Sequence, residues 1–202
     1  MRQRIQTLLL DMIPVILGVL IALLINEWKA DRDDQRFINK IMDAITQEIL
    51  ENQADLKEVL VGHEALLDTI DLYLADDAIN LGELIGKVGG LKAANIKNTA
   101  WRALLNSKLE LIEYEQLSVL TGIDEKKQFM QIKLEKLIDF VYAHIEDNSI
   151  EKKALFRTLI DDLKLMEQNT LILYDNFLQF GAEKEQQPPG ESPPETGDEG
   201  SQ

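Results

Sequence analysis

The chain has 202 residues, no cysteine and a net charge of −15. Its length allows one membrane segment plus one ordinary domain, and its charge disfavours nucleic acid and electrostatic adhesion to anionic lipid, both of which require Lys/Arg. Without cysteine there is no disulfide, no thiolate nucleophile and no cysteine-based metal site.

The first element is apolar. Met12 to Ile25 carries no charged residue. At ~1.5 Å per residue it covers ~21 Å, and adding Leu8 to Leu10 brings it to ~27 Å, enough to span a bilayer with slight thinning. Residues 1–28 are therefore expected to form a transmembrane anchor, with Trp28 at the interface. A signal peptide would have an apolar run about this short. However, the following LLINEWK offers no A-x-A cleavage site, so the segment is expected to stay attached.

One face of this helix is distinct. At ~100° per residue, Asp11, Pro14, Gly18, Ala22 and Asn26 fall within a ~120° arc, interrupted by Val15 and Ile25. Leu10, Ile13, Leu17, Leu20 and Leu24 lie mainly outside it. Small residues let helix backbones approach, and polar ones are costly facing lipid. The stripe is the candidate helix-packing face; the plainer alternative is that Asp11 snorkels and Gly18 is incidental.

After Trp28, KADRDDQRF holds neither Gly nor Pro. Nothing there stops a helix, so the anchor is expected to run on into the domain over residues 29–75. Ile38, Ile41, Met42, Ile45, Ile49, Leu56, Val59, Leu60, Leu66, Leu67, Ile70 and Leu74 recur at three- and four-residue steps. Gly62 is a candidate bend, and Asp76, Asp77 and Asn80 mark the end. Leu81 to Val88 suggests a short helix capped by Gly89-Gly90. No G-x-x-x-x-G-K-[ST] phosphate loop is present, since Val88 follows Gly86-Lys87.

Asn98 or Thr99 opens a second short helix, with Trp101 expected in the core rather than as a ligand platform. Glu113 to Asp147 reads as a long helix interrupted near Thr121-Gly122. Its expected apolar face is Phe129, Ile132, Leu134, Leu137, Ile138, Val141 and Ile145. The last helix is expected from Ile150 to Phe180, with Gly181 as its stop. Its expected stripe is Leu155, Leu159, Leu163, Met166, Leu173 and Phe177, widened by Ile160, Leu171, Tyr174 and Leu178. Residues 182–202 hold four of the five prolines and six acids, and are expected to form a disordered acidic tail.

The fold class expected is all-α: an N-terminal transmembrane helix continuing into a long-helix up-down bundle over residues 29–181. Catalytic and metal constellations are missing from the sequence. Neither His63 nor His144 has a Glu three residues before it, and there is no H-E-x-x-H and no G-x-S-x-G. Both histidines are expected to be structural, with His63 at the edge of the core. No enzyme activity, cofactor or metal is expected.

Two stretches carry a resemblance. VILGVLIALLINEWKADRDDQR resembles the opening of a family of uncharacterised bacterial single-span membrane proteins, through Ile21, Ala22, Leu23, Ile25, Asn26 and Trp28. TAWRALLNSKLELIEYEQL is similar to that family's second marker, through Trp101, Leu104, Leu109, Leu111, Ile112 and Leu117, with Lys108 where a Gly is usual. The resemblance implies a helical domain of unknown function on one N-terminal span in the bacterial inner membrane, usually with the N-terminus cytoplasmic and so the domain extracytoplasmic, whereas a bare count of Lys29, Arg32, Arg36 and Lys40 against Arg2 and Arg4 favours a cytoplasmic domain. It implies no activity. The expected partners are the lipid bilayer, and a second copy or another membrane protein. The expected role is non-catalytic assembly, or alternatively an extracytoplasmic sensory or ligand-binding module acting through a partner.

Overall fold

A computed structural model describes the backbone of residues 2–186 and the side chains of residues 12–181. It is all-α, with five helices and, among the described residues, no strand. Helix α1 runs from Arg2 to Leu72 without interruption. Two short helices follow, α2 (Leu81–Lys87) and α3 (Thr99–Leu105), then a single 3-10 turn (Leu109–Leu111). Two long helices complete the bundle, α4 (Tyr114–His144) and α5 (Ile150–Gln186).

The chain divides into two compact units. The first comprises Met1–Gln47 and Thr99–Glu113; the second comprises Glu48–Asn98 and Tyr114–Gln202. In the second, α1 and α5 run antiparallel. Going up α1, Gln53 meets Asp175, Glu64 meets Lys164 and Asp71 meets Arg157, so numbers fall on one helix as they rise on the other. Helices α4 and α5 are likewise antiparallel, with Lys133 against Asp162 and Phe140 against Phe156.

The buried positions set this packing. On α1 they are Ile45, Ile49, Asn52, Leu56, Val59, His63, Leu66 and Ile70, in alternating four- and three-residue steps, with Leu67 beside them. On α5 they are Lys153, Phe156, Ile160, Leu163, Glu167, Thr170, Tyr174 and Phe177, in the same alternation. A 3.5-residue repeat keeps one seam facing a neighbouring helix along its whole length. The seam on α5 shares Ile160, Leu163, Tyr174 and Phe177 with the expected stripe and its widened edge, but it is completed by Phe156 and by polar Lys153, Glu167 and Thr170, while Leu155 is exposed. On α4, Leu120, Met130 and Leu137 are buried, whereas Phe129 and Ile132 are exposed.

Helix ends are satisfied in detail. The Asn80 side chain accepts from Glu83 N and the Glu83 carboxylate accepts from Asn80 N, a reciprocal cap. The amides of Leu81 and Gly82 donate to the carbonyls of Asp147 and Ile145. Gly90 N donates to Ile85 O, and Gly89 and Gly90 both take positive φ, so the expected glycine cap on α2 is present. The end of α1 is closed by the buried Lys153, whose ammonium donates to the carbonyls of Tyr73 and Asp76. A cation there also suits the negative end of the helix.

Two expected interruptions do not occur. Helix α4 passes through Gly122, and α5 passes through Gly181 to Gln186; neither glycine has a positive φ. Glycine in a helix interior costs only ~1 kcal/mol against alanine, which packing of a long helix readily overcomes. Residues 182–186 are thus helical, and the remainder of the expected tail lies outside the described residues.

Candidate functional site

The anchor face is the first candidate. Pro14, Gly18, Ala22 and Asn26 all lie on α1 and all are exposed. The Asp11 side chain lies outside the described residues, although its backbone is helical. A Cβ built at Gly18 meets nothing within 4 Å. None of the apolar stretch that begins at Met12 is covered by the rest of the chain, and this is the one helix among the described residues long and apolar enough to cross a membrane. Trp28 is 61% exposed, with the Arg32 guanidinium 5.4 Å from its ring centroid. This stacking positions a cation beside the aromatic at the end of the apolar run, where both suit a membrane interface.

The second candidate lies in the acidic unit. Residues 91–98 form an extended strap rather than a helix. Three side chains on α1 hold it. Asn52 binds Lys97 in both directions, donating to its carbonyl at 2.8 Å and accepting from its amide at 2.8 Å. Asp55 accepts from Asn95 N at 2.6 Å, and His63 Nε2 lies 2.9 Å from the Lys92 carbonyl. The strap therefore runs antiparallel to α1, its backbone polar groups met by α1 side chains instead of by a second strand.

His63 is not at the edge of the core, as expected from the sequence; it is fully buried, with Nδ1 3.0 Å from Glu167 Oε2. A carbonyl only accepts, so Nε2 carries a proton directed at Lys92 O. Glu167 also lines a partly enclosed cavity of about 140 Å³ between the strap and helices α4 and α5. Its walls include Asn95, Lys127, Met130, Gln131 and Leu163. Lys127, Met130, Gln131 and Leu134 recur at helical spacing, so one face of α4 presents a cation, an amide and two apolar groups to the same space.

Trp101 is buried, as expected of a core residue, and belongs to the first unit. His144 lies at the last turn of α4, its ring 4.8 Å from that of Phe140 and its Nδ1 4.0 Å from Asp147. Asp147 is held below the usual carboxylate range by hydrogen bonds from the Ser149 hydroxyl and amide. Asp71 is also lowered, chiefly by its hydrogen bond from Arg157. Among the described residues, no group of three or more His, Asp or Glu side chains could hold a metal ion. Lys108, where the resembled family usually has Gly, takes φ −101°, a conformation open to any residue.

No protein-family model matches the chain, and comparison with curated proteins and with solved structures gives no match.

Proposed function

We propose that this protein is a single-pass, membrane-anchored helical assembly protein without catalytic activity. It would be held in the bacterial inner membrane by residues 1–28, with its acidic bundle extracytoplasmic. The observation that carries the reading is that α1 is one unbroken helix whose apolar stretch the chain itself leaves uncovered. An apolar helix surface of this length needs lipid or another helix around it. The stripe of Asp11, Pro14, Gly18, Ala22 and Asn26 is the packing face for a second copy or another membrane protein. The membership of the resembled single-span family belongs to the same proposal.

Crosslinking in native membranes tests it. Gly18→Leu with Ala22→Leu is expected to abolish an intramembrane crosslink that Leu17→Ala leaves intact. If the leucine pair leaves every crosslink unchanged, the stripe is not an interface.

A second reading, a ligand-binding sensory module, is favoured by the cavity where Glu167, Lys127 and Gln131 converge with Met130 and Leu163. Polar groups beside an apolar wall suit a small polar ligand, for which free amino acids serve as probes. A thermal shift by one amino acid of a panel, absent in a cavity-filling Met130→Trp variant, would support it. A panel that leaves the melting temperature unmoved throughout removes it.

A further inference from the structure

The first compact unit differs from the second in charge. It holds eight Lys/Arg and eight Asp/Glu, while the second holds 13 against 28, so the entire −15 resides in the second. The neutral unit contains the uncovered apolar stretch of α1 and also Thr99–Glu113, whose Lys108 meets α1 at Asp34, beyond that stretch.

That segment is fixed beside the start of the charged collar. The Lys108 ammonium pairs with the Asp34 carboxylate. Asp34 stands six residues after Trp28 on the same helix, a rise of only ~9 Å. Ala100, Trp101, Leu104 and Ile112 are buried and form the inner side of the segment. Leu105 and Leu111 are left 42% and 41% exposed, and Phe37 on α1 is exposed as well. Single exposed apolar residues are ordinary on a protein surface. The acidic unit exposes apolar residues too, so exposure alone singles out nothing; what sets Phe37, Leu105 and Leu111 apart is that they belong to the electroneutral unit that also holds the Trp28–Arg32 pair.

We propose that Thr99–Glu113 is a second membrane contact. It would rest on the bilayer surface beside the span, with Leu105 and Leu111 entering the headgroup–acyl boundary. The proposal rests on the anchor reading above. An anionic leaflet repels acidic protein, so a contact with lipid must come from a part of the chain with no net negative charge, and only this unit qualifies. Burial of a few apolar side chains at the boundary gives weak binding on its own, and tethering by α1 makes it effective. The arrangement would fix the tilt and rotation of the emerging helix, in addition to its depth.

The natural absence of cysteine permits a direct test. Single Leu105→Cys, Leu111→Cys, Leu20→Cys and Asp43→Cys variants of the full chain, each labelled with bimane, are placed in phosphatidylcholine–phosphatidylglycerol vesicles. Circular dichroism establishes that each retains the parent's helicity. Fluorescence is then quenched by a lipid carrying an acyl-chain nitroxide, or by aqueous iodide. The expected result is strong lipid quenching at 20, intermediate lipid quenching at 105 and 111, and iodide quenching alone at 43. If 105 and 111 respond only to iodide, or to neither quencher because protein covers them, the second contact is refuted while the anchor stands. If 20 escapes lipid quenching, the anchor reading itself fails and the second contact with it.

Discussion

His63 Nδ1 and Glu167 Oε2 lie 3.0 Å apart, both side chains almost wholly buried and 104 residues apart in the chain. They occupy facing positions in the seams of α1 and α5, where apolar residues hold most other places. Such a pair contributes little net stability relative to well-packed apolar groups, but breaking it strands one polar partner. Glu167→Leu is expected to cost ~3 kcal/mol by leaving Nδ1 buried and unmatched. The double variant His63→Leu/Glu167→Leu is expected to be more stable than the two single losses predict, by ~1 to 3 kcal/mol of coupling. Urea denaturation of the four proteins measures this. Simple additivity would mean that the contact carries no energetic coupling.

Two glycines in close contacts are expected to respond oppositely to alanine. A Cβ at Gly62 would sit 2.7 Å from Lys92 Cδ, a flexible side chain whose ammonium makes only an exposed ion pair with Glu58 at 3.5 Å. The lysine can move, and the pair it gives up is worth at most ~1 kcal/mol. Alanine gains ~1 kcal/mol of helix propensity, so Gly62→Ala is expected to be neutral or slightly stabilising. At Gly82 the same Cβ meets Ile145 Cγ1 at 3.0 Å and the Ile145 carbonyl at 3.3 Å. Backbone there must shift, and the Gly82 N–Ile145 O hydrogen bond at 2.8 Å shifts with it. Gly82→Ala is expected to cost ~1 to 3 kcal/mol. Thermal melting of both variants decides; equal losses would show that Lys92 is pinned.

What was legible in the sequence follows from which forces are local. The continuity of α1 could be read because no breaker interrupts WKADRDDQRF, and the cap at Gly89-Gly90 because positive φ is a property of single residues. Gly122 and Gly181 misled because a local preference of ~1 kcal/mol was set against long-range packing. The α5 seam is legible only in part because Lys153, Glu167 and Thr170 look like surface residues until their partners are known. Lys153 finds the open end of α1, and Glu167 finds His63. The attachment of the strap is not legible for the same reason: Asn52 and Asp55 carry no local signal, and nothing nearby in sequence announces that they bind backbone more than 35 residues away.

The unbroken α1 carries its own prediction. Asp33 is exposed, with Arg36 3.7 Å away, so replacing its side chain alone matters little. Proline there removes a helix hydrogen bond and clashes with the preceding turn, costing ~3 kcal/mol or more. Asp33→Pro with Asp34→Pro is expected to lower helicity and melting temperature in detergent. The control Asp33→Ala with Asp34→Ala, which breaks the Arg36 and Lys108 pairs but keeps the helix, is expected to change stability by ~1 kcal/mol or less per pair. Prolines without effect on circular dichroism would mean that the helix is not continuous through the collar.

The last prediction concerns Tyr174, in the α5 seam. Its ring is fully buried, and its hydroxyl makes no hydrogen bond of normal geometry. Burial pushes this phenol from the ordinary 10.0 up to about 12, with the nearby Asn52 amide opposing weakly. The sign of the linkage follows. A group whose pKa is raised by folding contributes stability that is complete below its unfolded value, here about 10, and is lost as pH rises through about 12. Phenylalanine cannot ionise and carries no hydroxyl to desolvate. At neutral pH, Tyr174→Phe is therefore expected to be neutral or stabilising by up to ~1 kcal/mol, since the hydroxyl lost has no partner to strand. Both proteins lose lysine charges in this range, so the expected signature is a difference: between pH 10 and 12 the parent should lose more melting temperature than the variant. Melting curves across that range decide. A variant destabilised at pH 7 by more than ~1 kcal/mol would show that the hydroxyl bonds Asn52 in solution, making that amide the shared link between the seam and the strap.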